Sequence, residues 1–149
     1  MQAILLIIAV LTVDQLSKIA IRQFLAEGDS IPVLGSFFQL THYENDGAAF
    51  STMSGQRALL ILFPVVVVMG GAWFLWKHYR SSSRFLCLSV AAIIGGGLGN
   101  LIDRALFGQV TDMLSFRIFP PIFNVADAAV VIGCFLLVIC VLREEGHHE

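Results

Sequence analysis

Four stretches of about twenty apolar residues each, at roughly 2–25, 57–76, 85–105 and 122–142, constrain this chain more than any other feature. A helix of about 20 residues is what crosses ~30 Å of hydrocarbon. The second stretch is uncharged from Ala58 to Trp76, and the fourth from Ala128 to Leu142. The composition agrees: 57% of the 149 residues are hydrophobic, only 13% are charged, and the mean hydropathy is +0.82. A soluble domain is closer to half apolar and a quarter charged. The bilayer is therefore the simpler solvent, and one integral membrane domain over 1–149 is expected. The first stretch is read as a retained helix, because no positive start precedes it and no small-residue cleavage site follows it.

Basic residues in short loops set the orientation. The connection between the second and third stretches holds Lys77, Arg80 and Arg84, whereas segment 26–56 holds no Lys or Arg and the loop 107–121 only Arg117. The expected topology has both termini and the 77–84 loop in the cytoplasm, with 26–56 and 107–121 outside. The fold class expected is thus an all-α membrane protein with four transmembrane helices. A small extracytoplasmic β-rich segment, about 28–55, lies between helices one and two. Ser30 to Tyr43 is rich in β-branched and aromatic residues, with Pro32 and Gly35 as punctuation. Phe37, Phe38, His42 and Tyr43 are expected to face the headgroup zone.

Charges at a helix centre cost about 2.5–3.5 kcal/mol each on insertion scales. Yet Asp14 and Lys18 stand four apart in the first helix, suited to an ion pair. Asn100, Asp103 and Arg104 share about one turn near the end of the third helix, where Asp103 and Arg104 are candidates for a pair. Asn124 and Asp127 open the fourth helix on one side, and Asp112 lies in the outer loop. The topology brings all of them to a similar depth, near the outer face. Asp112 and Asp127 have no basic neighbour within a turn. Gly95-Gly96-Gly97 and Gly99 suit close helix packing.

Several classes are excluded. A net charge of -2 provides no basic field for nucleic acid. The three cysteines, Cys87, Cys134 and Cys140, lie in apolar runs and read as packing residues rather than a disulfide framework. No H-E-x-x-H or similar ligand spacing occurs, so neither a metal nor another cofactor is expected. The C-terminal Gly146-His147-His148-Glu149 reads as a solvated end. A proton-relay transporter is the alternative to an enzyme, since intramembrane acids also serve as relays. It would need polar groups through the whole membrane depth, and the inner halves of the second and fourth stretches are nearly bare.

The polar residues also fall into four ordered motifs: D-Q-L-S-K from Asp14 to Lys18, N-D-G-A-A-F from Asn45 to Phe50, G-G-G-L-G-N-L-I-D-R-A-L-F-G-Q-V-T-D from Gly95 to Asp112, and F-N-V-A-D from Phe123 to Asp127. In this order they resemble the lipoprotein signal peptidase family, or signal peptidase II. The resemblance implies a four-helix aspartic protease of the bacterial cytoplasmic (inner) membrane, with its active site near the outer face. It would remove the signal peptide from lipid-modified prolipoproteins, cutting before the diacylglyceryl cysteine. It implies a catalytic pair at Asp112 and Asp127. Site-shaping or substrate-binding roles fall to Asp14, Lys18, Asn45, Gly47, Asn100, Asp103, Arg104 and Asn124. Gly97 and Met113 stand where the family often has Ala and Phe, which keeps each position small or apolar. Expected partners are the prolipoprotein substrate and membrane lipids, and the expected state is a monomer. Segment 26–56 is a candidate lid or cradle over the site.

Overall fold

The computed structural model describes residues 1–47 and 57–145. The lid expectation rests partly on 48–56, which lies outside the described residues, as do Phe50 and the tail 146–149. Among the described residues, four helices are long and apolar enough to cross a membrane. They are α1 (Gln2–Phe24), α2 (Arg57–His78), α3 (Arg84–Leu106) and α4 (Val125–Glu145), interrupted by strands β1 (Ser30–Leu34), β2 (Phe38–Asn45), β3 (Val110–Phe116) and β4 (Phe119–Phe123).

Helix α3 is the centre of the bundle, packing against α1, α2 and α4. Its apolar span is 56% buried, against 17% for α1 and 11% each for α2 and α4. The exposed apolar faces of the outer three are what a hydrocarbon solvent accommodates. Glycine is what permits the central position. A Cβ on Gly96 would run into the Ala126 carbonyl oxygen of α4, and one on Gly95 would lie 3.0 Å from Val10 Cβ of α1. A Cβ on Gly97 would meet only a side-chain methyl, Val68 Cγ2, at 3.0 Å.

The four strands form one antiparallel sheet in the order β1-β2-β3-β4. This corrects the expectation of a β-rich segment confined between the first two helices. Half of the sheet, β3 and β4, comes from the connection between α3 and α4, where a loop is expected from the sequence. Both edges carry proline, Pro32 in β1 and Pro120-Pro121 in β4, and proline is tolerated at a sheet edge because it has no N–H to offer. Helix α4 starts at Val125 rather than near residue 122 because β4 continues to Phe123, which pairs with Leu114. Phe38 stacks on Phe116 at 4.6 Å and Phe116 on Phe123 at 5.8 Å, so aromatic pairs support the sheet across three strands. Phe37 and Tyr43 are exposed, but His42 is buried, contrary to its expected headgroup-facing position. All three cysteines are free.

Candidate active site

The polar residues of α1, α3, β2, β3 and α4 meet where the helices reach the sheet. A tight turn delivers β3 to this point. The N–H groups of Phe107 and Gly108 bond the carbonyls of Asp103 and Arg104 at 2.8 and 3.2 Å, and Gly108 takes a φ of +82°, a conformation glycine adopts without steric cost. The chain then enters β3 with Thr111 and Asp112 buried.

Asn124 is the N-cap of α4, and Asp127 completes a reciprocal capping box. Asn124 Oδ1 accepts from the Asp127 N–H at 2.8 Å, and Asp127 Oδ2 accepts from the Asn124 N–H at 3.3 Å. The next free N–H of this helix end, that of Ala126, donates to Asp14 Oδ1 at 2.9 Å. Carboxylates at a helix N-terminus are favoured by its partial positive charge. Capping thus ties α1 to α4 and sets the direction of the Asp127 side chain.

Beneath the pair lies a buried charge cluster. Lys18 is 2.9 Å from Asp14 and 3.2 Å from Asp103, with all three side chains fully buried. Arg22 adds a second cation at 3.7 Å from Asp103, and Gln15 Nε2 donates to Asp14, Asp103 and the Gly99 carbonyl. Two cations and two anions balance, which is how such charges are tolerated away from water.

Lys18 also orients the site. Its ammonium can only donate, and it reaches Asn100 Oδ1 at 3.0 Å. The Asn100 amide nitrogen must therefore point the other way, where it donates to Asp127 Oδ1 at 2.7 Å. Asn124 Nδ2 donates to Asn100 Oδ1 at 3.0 Å and to Asp112 Oδ1 at 2.7 Å. Asn45 Nδ2 donates to Asp112 Oδ2 at 2.9 Å, while its own oxygen accepts from the Gly47 N–H at 3.0 Å. One amide, Asn124, thus links the two aspartates. Arg104 donates to the Gly47 carbonyl at 3.0 Å, which places it against segment 45–47, while Asp103 faces Lys18 and Arg22.

Asp112 and Asp127 line the same cavity of about 700 Å³, together with Asn45, Asn100 and Arg104. The remaining wall is apolar, including Phe63, Val67, Ile93 and Val130. Burial pushes the Asp112 carboxyl up to about 7. The charge of Asp127 adds to this, and the amides of Asn45 and Asn124 and the charge of Lys18 only partly offset it. All ten candidate residues gather at this junction, but only five line the cavity. Asp14, Lys18 and Asp103 lie behind it, Asn124 bridges, and Gly47 braces Asn45. Gln15, Arg22, His42, Glu44 and Thr111 belong to the same polar region and were missed as site residues. Gln15 and Thr111 stand inside two of the motifs, and Arg22 lies one turn beyond Lys18, which is the signal that could have found them.

Four apolar spans, of which α2, α3 and α4 wall a cavity bearing two amide-linked carboxylates, describe a membrane protein with a paired-carboxylate site. Residues 6–143 match the family model described as Signal peptidase (SPase) II. Lipoprotein signal peptidases from Halothermothrix orenii, Moorella thermoacetica and Streptococcus pneumoniae are 41%, 42% and 41% identical to the chain, covering 95%, 92% and 97% of it and 95%, 90% and 95% of their own lengths. Two bacterial membrane enzymes solved by the in meso method, at 2.3 and 1.9 Å resolution, superpose with TM-scores of 0.91 and 0.85. They are 31% and 32% identical, with 99% and 95% of this chain and 92% and 93% of theirs covered. The chain belongs to the signal peptidase II family and is a multi-pass membrane protease.

Proposed function

We propose that the chain is an aspartic endopeptidase that removes signal peptides from diacylglyceryl-modified prolipoproteins, cutting immediately before the lipidated cysteine. The observation that carries this reading is the pair Asp112 and Asp127 on one apolar-walled cavity, with Asp112 held at about 7. Two neighbouring carboxylates resist joint ionisation, so one keeps its proton near neutral pH. In this scheme Asp112, held at about 7, is the proton holder and Asp127 is the base. Water between them loses a proton to Asp127 as its oxygen attacks the scissile carbonyl. Asp112 delivers its proton to the amide as the C–N bond breaks. Arg104, on the cavity wall, is placed to hold the substrate backbone or the developing oxyanion.

The apolar wall suits the substrate. A signal helix can lie along α2 and α4 past Phe63, Val67 and Val130 while the diacylglyceryl chains remain in lipid. In this proposal the sheet and the site sit at the outer face of the bacterial cytoplasmic membrane, both termini are cytoplasmic, and one chain acts alone. The test is cleavage of a diacylglyceryl-modified prolipoprotein by the purified protein, Asp112→Asn and Asp127→Asn, each with and without chelator. The expected result is chelator-resistant activity that falls by orders of magnitude in either variant. Full activity in both variants would falsify the assignment.

A further inference from the structure

The proposed chemistry uses one side of β3 and leaves the other side unexplained. Successive strand residues point to opposite faces, so Asp112 lines the cavity and Thr111 points away from it. Thr111 is fully buried there. Its N–H donates to Asp103 Oδ2 at 3.2 Å. Its hydroxyl accepts from Arg22 Nη1 at 2.7 Å and donates to Glu44 Oε1 at 2.9 Å. The same Glu44 oxygen lies 2.8 Å from His42 Nε2, and His42 Nδ1 lies 2.8 Å from the Leu25 carbonyl.

Both ring nitrogens of His42 therefore face acceptors, an arrangement that the doubly protonated ring satisfies and a neutral one does not. Burial works against that charge, but the Glu44 carboxylate, the Leu25 carbonyl and the more distant Glu27 outweigh it and hold the ring above its usual range. The result is an alternating string of Arg22 cation, Thr111 hydroxyl, Glu44 anion and His42 cation. It ties α1, β2 and β3 together at the residue that precedes Asp112.

The ladder between β2 and β3 is irregular where this matters. Pairing breaks between Leu40 and Tyr43, then resumes with Tyr43↔Asp112, Glu44↔Thr111 and Asn45↔Val110. An irregularity re-aims the strand that follows it, so residues 110–112, paired in regular register with 43–45, form a separate stretch of ladder whose angle to the rest backbone pairing does not set by itself. We propose that Thr111 and Glu44 are positioning residues, whose bonds to each other, to Arg22 and to His42 set the rotation of β3 and so the placement of the Asp112 carboxyl against Asp127. This inference rests on the reading of Asp112 and Asp127 as the catalytic pair.

The test compares Thr111→Val, which keeps the branched shape and loses the hydroxyl, with Thr111→Ser, which keeps the hydroxyl and loses the methyl. A positioning role predicts that Thr111→Val lowers kcat about 10- to 100-fold, in line with the cost of an ångström-scale misplacement, at little changed KM. Thr111→Ser then stays within about threefold of the parent by the same reasoning. A packing role predicts the reverse order, because valine fills a buried strand position better than serine. Thr111→Val at parental kcat, or Thr111→Ser as slow as Thr111→Val, overturns the proposal. If Thr111→Val does not fold in detergent, Glu44→Gln decides: a several-fold lower kcat at constant KM supports the proposal and an unchanged kcat overturns it. Asp112→Asn, assayed alongside, separates the two failures. An active Asp112→Asn removes the catalytic reading itself, whereas an inactive one beside a fully active Thr111→Val removes only the positioning role.

Discussion

Replacing Asp112 by asparagine should abolish turnover and yet stabilise the protein, by an amount that grows with pH. The carboxyl is 2% exposed and is held at about 7, against an ordinary value of 3.8. A folded-state value raised above the unfolded one means that the unfolded chain releases this proton first, so ionisation opposes folding. The penalty begins as pH rises past 3.8 and reaches its full size above 7. At 1.36 kcal/mol per pKa unit the full penalty is roughly 4 kcal/mol, and at pH 5 it is less than half of that. Asparagine removes the penalty but has its own cost. Asn124 and Asn45 each donate to one oxygen of Asp112, and an amide NH₂ would face one of those donors, losing about 1–2 kcal/mol. The net expectation is near-equal stability at pH 5 and about 2–3 kcal/mol in favour of the variant at pH 8, in the sense of a stability–activity trade-off. Thermal unfolding in a fixed detergent at pH 5, 6, 7 and 8, parent against variant, measures it. A difference in Tm that stays flat with pH, or a variant less stable at pH 8, refutes the reasoning.

Lys18→Met should be among the most destabilising changes, at about 3–5 kcal/mol, because it leaves buried carboxylates without their main cation; adding Asp14→Asn should recover part of the lost Tm. Gly96→Ala should cost about 1–3 kcal/mol and reduce activity, since its Cβ meets the Ala126 carbonyl beside Asp127. Gly97→Ala, which meets only a Val68 methyl, should keep the parental Tm and turnover, so equal loss in the two variants would contradict the packing argument. His42 titrates above its unfolded value, so its contribution is full below about 6.5 and is lost as pH rises through the folded value. His42→Gln should therefore lose most Tm relative to the parent at low pH, with the gap closing as pH rises; a gap that widens instead would mean the ring is held neutral.

The four spans were legible because each is a local, continuous pattern. Twenty apolar residues mean the same thing wherever the chain goes next, so the observed helices differ from the expected ones by three residues or fewer at their ends. The gathering of Asp14, Lys18, Asn100, Asp103, Arg104, Asn124 and Asp127 was legible too, because once the helices alternate in direction, position along each sets depth. What tertiary structure alone decided is everything that depends on segments far apart in the chain. The 107–121 connection reads as a loop until β2 is beside it, because a sheet edge is satisfied only by its partner; Glu44 and Thr111 pair across 67 residues. His42 reads as a surface residue because Glu44, two residues on along β2, says nothing of burial, and the Leu25 carbonyl that takes the other ring nitrogen lies 17 residues back. The orientation of Asn100 likewise follows from Lys18, 82 residues away. The sequence by itself determined a membrane bundle with its polar residues collected at one level. The tertiary structure decided which amide faces which carboxylate oxygen, because hydrogen-bond direction depends on contacts that no single stretch of chain contains.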